Sequence, residues 1–153
     1  MDKKDMIFLA HLRTNARETL TLISRKTGIP ISTLYDRLKA QEDDIITKHT
    51  ALVDFEKLGY MCKANIAVKV DIGERDAVKE FLLIQNCVNS LFKINNGYDF
   101  LIEGVFRHVK DMEDFMDAFE RKFKVLDKNV HYIIEDLKRE EFMSDPMLVK
   151  AGF

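Results

Sequence analysis

Residues 19–41 read TLTLISRKTGIPISTLYDRLKAQ, and the order of residue types in this stretch sets the fold of the first third of the chain. Thr19 stands where a hydroxyl can accept a free backbone N–H at a helix start. Leu20, Ile23 and Ser24 then recur at helical spacing as a short inward face. Gly28 ends that helix, since a residue without Cβ turns left-handed at little cost. Pro30 is tolerated in the first turn of the next helix, predicted to run to about Gln41 with Ile31, Leu34 and Leu38 buried. The result is helix, tight turn, helix.

Working outward, Met6, Leu9, Ala10 and Leu12 predict an earlier helix from Asp5 that breaks at residues 14–17. Downstream, the acidic turn Glu42-Asp43-Asp44 leads into residues 45–53, rich in β-formers, which predict a two-stranded wing. Residues 1–53 are therefore expected to form a winged helix-turn-helix, with residues 54–61 as a linker. Beyond it the period becomes two: Ala64, Ile66, Val68 and Val70 point one way, Lys63, Asn65, Lys69 and Asp71 the other. A helix over 75–84 and a strand over 88–94 follow, and Asn95-Asn96-Gly97 reverses the chain into a strand over 98–106. Val109, Met112, Phe115, Met116, Phe119 and Phe123 make the strongest amphipathic stripe, and residues 130–134 predict a last strand. The order β-α-β-β-α-β over residues 62–137 folds most simply as a ferredoxin-like antiparallel sheet with both helices on one face, giving an α+β protein. Leu91, Leu101, Val105 and Ile133 are expected on the other face, where an apolar surface calls for a partner. The tail, 138–153, mixes charge with Phe142, Met147, Leu148 and Phe153, which fits either docking on a partner or fraying.

A length of 153 residues, 46% of them hydrophobic, supports real cores and excludes disorder along the whole chain. No run approaches a membrane span and the start is no secretory signal, so a soluble cytoplasmic protein is expected. Cys62 and Cys87 are too few and too far apart for a disulfide framework or a thiolate cage. The net charge of −2 hides an asymmetry: nine Lys/Arg against seven Asp/Glu up to residue 53, fifteen against nineteen after it. Only the first part suits phosphate, and too mildly for charge alone to make DNA the partner.

Several pieces in order carry a resemblance. Asp5, Ile7, Leu9 and Leu12 lead to Ala16-Arg17; Gly28-Ile29 is followed by Ser32-Thr33-Leu34 and Arg37-Leu38-Lys39; residues 45–54 lead to Leu58-Gly59-Tyr60; and Gly97 to Glu103 reads GYDFLIE. The ordered set resembles the Lrp/AsnC (feast/famine) family of transcription regulators over nearly the whole chain. That resemblance implies DNA-binding heads, RAM-type sheet domains that pair into dimers and octamers, and an amino acid effector bound between dimers near the hairpin. Three departures stand out: Pro30 replaces a capping serine, Asp44 a turn glycine, and Asn96-Gly97-Tyr98-Asp99 the usual Gly-Asp-Tyr-Asp.

In a helix-turn-helix the second helix lies in the major groove. Its expected outward set is Ser32, Thr33, Tyr35, Asp36, Arg37 and Lys39, with Arg37 and Lys39 as donors to phosphate or guanine. Thr19 and Thr21 on the preceding helix, and Lys48 and His49 on the wing, complete the candidate contacts with double-stranded DNA. In the hairpin, backbone N–H groups at Asn96 and Gly97 suit an α-carboxylate, Asp99 an α-ammonium, and Tyr98 lies between them. No cofactor, metal or catalytic residue is expected. The rival readings are a tetrapyrrole enzyme, because a branch of similar architecture decarboxylates sirohaem, and an assembly module without DNA binding. Against the enzyme, His11, His49, His108 and His131 form no metal-like spacing, and no phosphate loop or nucleophile motif is present.

Overall fold

The computed structural model describes residues 2–152 and resolves two compact units. One runs up to Leu52 and takes back the chain from Leu137 onward; the other is Val53–Asp136.

The first unit is helical. Helix α1 (Lys3–Thr14) opens on a reciprocal cap: the Asp5 amide donates to the Asp2 carboxylate and the Asp2 amide to that of Asp5, each at 2.8 Å. Helix α2 (Leu20–Thr27) is capped as its sequence predicts. The Leu22 amide donates to Thr19 Oγ1 at 3.2 Å, and Gly28 closes the helix at φ 74°. Helix α3 (Ile31–Asp44) starts one residue after Pro30, with no side chain capping it. Phe8, Ile23, Ile29 and Leu34 form the core, backed by Leu12, Leu20 and Leu38. Each such side chain contributes roughly 1.5–3 kcal/mol by leaving water. Ile31, the first residue of α3, departs from expectation and is 48% exposed.

Two further expectations fail here. The acidic triplet 42–44 continues α3 instead of turning, and residues 46–54 carry no strand, so the wing is not formed. The run 45–53 has β-branched residues but no Gly or Asn-Gly to reverse it, and a lone hairpin is marginal without a sheet to join. The tail, by contrast, is ordered on the helical unit. Arg13 Nε donates to the Phe142 carbonyl at 2.5 Å and its Nη2 to the Glu140 carbonyl at 3.0 Å, while Thr14 donates to the Ser144 carbonyl. Asp145 then caps α6 (Pro146–Ala151), and Val149 is buried.

The second unit holds a four-stranded antiparallel sheet in the order β2-β3-β1-β4, formed by β1 (Cys62–Val70), β2 (Val88–Lys93), β3 (Phe100–Phe106) and β4 (Val125–Tyr132). Helices α4 (Arg75–Leu83) and α5 (Val109–Lys122) supply Val78, Leu82, Met112, Met116 and Phe119 to the core, against Ile66, Val68 and Ile102 of the sheet. Ile66 lies opposite Ile102 on one side and Val130 on the other, so these central positions share one buried face. Strand β4 begins at Val125, five residues before its expected start. Its polar Asp127-Lys128-Asn129 segment hides the alternation because it is an exposed edge. Leu91 also moves: it stands opposite the buried Ile102 and so faces the helices, while Phe92, opposite Leu101, is 52% exposed on the open face. That open face carries Phe92, Leu101 and Val105, interleaved with Asn65 and Glu103.

Candidate nucleic-acid interface and effector hairpin

Helix α3 has two faces set by its period. Leu34, Arg37, Leu38 and Gln41 fall on one stripe and turn toward the rest of the unit, with Leu34 and Gln41 buried. Ser32, Tyr35, Asp36 and Lys39 fall on the opposite stripe and are exposed, Tyr35 by 61%. None of these four side chains makes a hydrogen bond or ion pair among the described residues. Thr33 sits half-buried at the margin. The first-turn amides of α3, left without a side-chain cap, add donors beside Ser32.

Arg37 does not belong to the outward set. Its Nη1 and Nη2 donate to the two carboxylate oxygens of Asp2 at 3.0 and 2.9 Å, and Nη1 also pairs with Asp5. The side chain is only 22% exposed. Both acids sit at the start of α1, where a helix dipole already favours negative charge, and the guanidinium fork matches a carboxylate. The Arg37 hydrogen bonds hold Asp2 well below the usual carboxylate range, and the Asp2 hydrogen bond in turn pushes Arg37 up. The signal was in the spacing: Arg37 lies three residues after Leu34 and four before Gln41, on the buried stripe.

Around this helix the other candidates are placed as follows. Thr19 and Thr21 are exposed at the start of α2, and Thr19 Oγ1 is engaged as an acceptor in its cap. Arg25, one turn beyond Thr21 on the same side of α2, is exposed and unpartnered among the described residues; the sequence reading passed over it. Lys26 is engaged by Glu18, whose carboxylate also lies 3.0 Å from His11 Nδ1. The Lys26 hydrogen bond, helped by His11, holds Glu18 below its ordinary value. Lys48 is exposed, while His49 lies 3.0 Å from the Glu42 carboxylate; with no wing to carry them, they flank α3 on an irregular segment.

The hairpin divides its four candidates. Asn96 and Gly97 form the exposed tip at φ 61° and 91°. Tyr98 donates to Asp127 at 3.3 Å, and desolvation with the nearby Asp127 charge pushes its phenol up. Asp99 is 9% exposed and turned inward. It accepts from the Val70 amide at 2.9 Å and pairs with Arg75 Nη2 at 2.8 Å, tying the start of β3 to the end of β1 and the first residue of α4. Within this chain it is engaged as a fold-holding carboxylate rather than presented to solvent as expected. No local spacing announces this, because its amide partner lies 29 residues away. Of the histidines, His11 is buried beside Glu18, His49 faces Glu42, His108 precedes α5 with its amide on Asp111, and His131 stands on β4. Among the described residues no three potential ligands gather as a metal would require.

An α-helical head with an exposed second helix, together with a ferredoxin-like sheet unit, is the fold of the Lrp/AsnC regulators. It matches a transcriptional regulator of Neisseria meningitidis solved with L-Met at a TM-score of 0.84, with 24% identity, 91% of this chain and 93% of that one covered. It also matches an AsnC family transcriptional regulator of Agrobacterium tumefaciens at 0.81, with 18% identity, 91% and 94% covered. In sequence the chain is 26% identical over 147 residues to an uncharacterized HTH-type transcriptional regulator of Pyrococcus furiosus, covering 95% of this chain and 99% of that protein. It is 29% identical over 118 residues to the HTH-type transcriptional regulator FL11 of Pyrococcus horikoshii, covering 76% and 78%. No family model matches. The chain thus shares the fold of the Lrp/AsnC structures, and the sequence relatives it matches carry the name of helix-turn-helix transcriptional regulators. No helix among the described residues is long and apolar enough to cross a membrane.

Proposed function

We propose that this chain regulates transcription in the cytoplasm by setting α3 into the major groove of double-stranded DNA. The carrying observation is the exposed, unpartnered stripe Ser32, Tyr35, Asp36 and Lys39 on a helix whose other side is packed. Ser32, Lys39 and the uncapped amides supply donors at the groove, and Thr19, Thr21 and Arg25 face the neighbouring backbone. Thr33 and Tyr35 border the bases, with Lys48 and His49 at the flank.

One head neutralises few phosphates, so affinity calls for two. The open face of the sheet, with Phe92, Leu101 and Val105, suits a second copy; dimers built on it assemble further, up to an octamer. The effector is an amino acid held between dimers, its carboxylate on the Asn96 and Gly97 amides beside Tyr98. The ammonium acceptor is supplied by a group other than Asp99. Support for an amino acid comes from the Neisseria relative, whose structure contains L-Met. Effector binding favours one assembly geometry and so changes the spacing of the heads.

The test is gel retardation of the DNA upstream of the chain's own gene across a salt series. Retardation that weakens steeply with salt is expected; none at any salt sinks the reading. A thermal-shift screen of the free amino acids identifies the effector by the rise in Tm it causes.

A further inference from the structure

We infer that Asp36 is a base-reading residue and selects cytosine at one position of each half-site. The inference rests on the DNA-binding reading above and deepens it. On α3, Asp36 lies about 200° around the axis from the buried Leu34 at ~100° per residue. It therefore points straight out of the unit, one turn after Ser32 and one turn before Lys39. It is exposed, and its side chain has no hydrogen bond or ion pair among the described residues. The nearest basic neighbour on its own helix, Arg37, is turned to the other side and held by Asp2 and Asp5. Asp36 thus reaches the groove with its charge uncompensated.

A carboxylate only accepts hydrogen bonds, so phosphates repel it and it stays deep in the groove or nowhere. The major-groove edge offers two donors, the amino groups of cytosine and adenine. Beside the adenine amino group stands N7, an acceptor that repels a carboxylate, and guanine and thymine present acceptors at the corresponding place. Cytosine remains. Asp36 therefore acts largely by rejection, weakening binding to every other base, while Lys39 supplies the attraction to guanine or phosphate nearby.

The experiment is selection of bound duplexes from a randomised pool by the full-length protein, its Asp36→Asn variant and its Asp36→Ala variant. For the wild type, one position per half-site is expected to be cytosine with about tenfold discrimination. Asp36→Asn is expected to move that position to adenine, because an amide pairs with N6 and N7 together. Asp36→Ala loses the preference there, and its binding to random-sequence duplex rises severalfold with half-site spacing kept. Wild-type and variant pools with the same base at every position overturn the assignment while leaving the regulator intact. A wild type that enriches no sequence removes the regulator reading, and this assignment with it.

Discussion

The recognition helix and the β2–β3 hairpin were both expected to present a charged side chain to a ligand, and in both that side chain is turned inward. Arg37 grips Asp2 and Asp5; Asp99 accepts from the Val70 amide and pairs with Arg75. What remains afterwards differs. Helix α3 keeps a complete second stripe for its partner, while the hairpin keeps only the backbone of Asn96 and Gly97 and the half-buried Tyr98. On the proposed reading the DNA-facing surface is therefore complete within one protomer, whereas the effector site needs groups from another copy.

The comparison is tested most severely at Asp99. Asp99→Ala leaves a buried amide and a guanidinium without their acceptor, and about 2–3 kcal/mol of stability in the sheet unit is expected to go, read as a fall in the urea midpoint with no amino acid present. Asp99→Asn, which still accepts from Val70, recovers part of it. Full stability in Asp99→Ala would return Asp99 to the list of ligand contacts.

Next in size, Lys39→Ala and Arg37→Ala separate a contact from a support. Lys39→Ala is expected to weaken DNA binding and lower the slope of log affinity against log salt by about one. Arg37→Ala weakens binding by loosening α3 and leaves that slope unchanged. Equal slope changes in the two variants would place Arg37 on a phosphate after all.

A smaller effect is expected at Gln41, whose side-chain amide is buried without a partner among the described residues. Gln41→Met removes that unpaired group and is expected to raise stability by about 1 kcal/mol in thermal unfolding.

The smallest concerns acid. Asp2 and Glu18 titrate below their ordinary values of 3.8 and 4.5 in the folded unit, held by Arg37 and by Lys26 respectively. Their stabilisation is complete above those ordinary values and is lost as pH falls through the lowered ones. Circular dichroism from pH 6 downward, on the order of one-unit steps, is expected to show a decline that is shallower in Arg37→Ala.

Much of the scaffold could be read from residue types alone. Thr19 and Gly28 bound α2 as their chemistry dictates, and the alternation from Ala64 to Val70 identified the central strand. The failures share a cause, which is that the deciding partner is distant or missing from the local pattern. Glu42 to Asp44 look like a turn until the helix before them is seen to continue. The polar edge of β4 looks like a loop until β1 pairs with it. At the sites, residue type stated what Arg37 and Asp99 can bind. Only the fold states what they do bind, although for Arg37 the stripe through Leu34 and Gln41 was there to be read.

The clasp between Arg13 and the carbonyls of Glu140 and Phe142 has a consequence for biogenesis. The head receives α6 from a stretch translated after the whole sheet unit. Its three leading helices emerge early with one flank uncovered and are sealed only once the chain beyond Leu137 has been made. A chain truncated after Asp136 therefore keeps the whole sheet unit but lacks part of the head, and excising the head as one continuous N-terminal fragment leaves out part of its own structure.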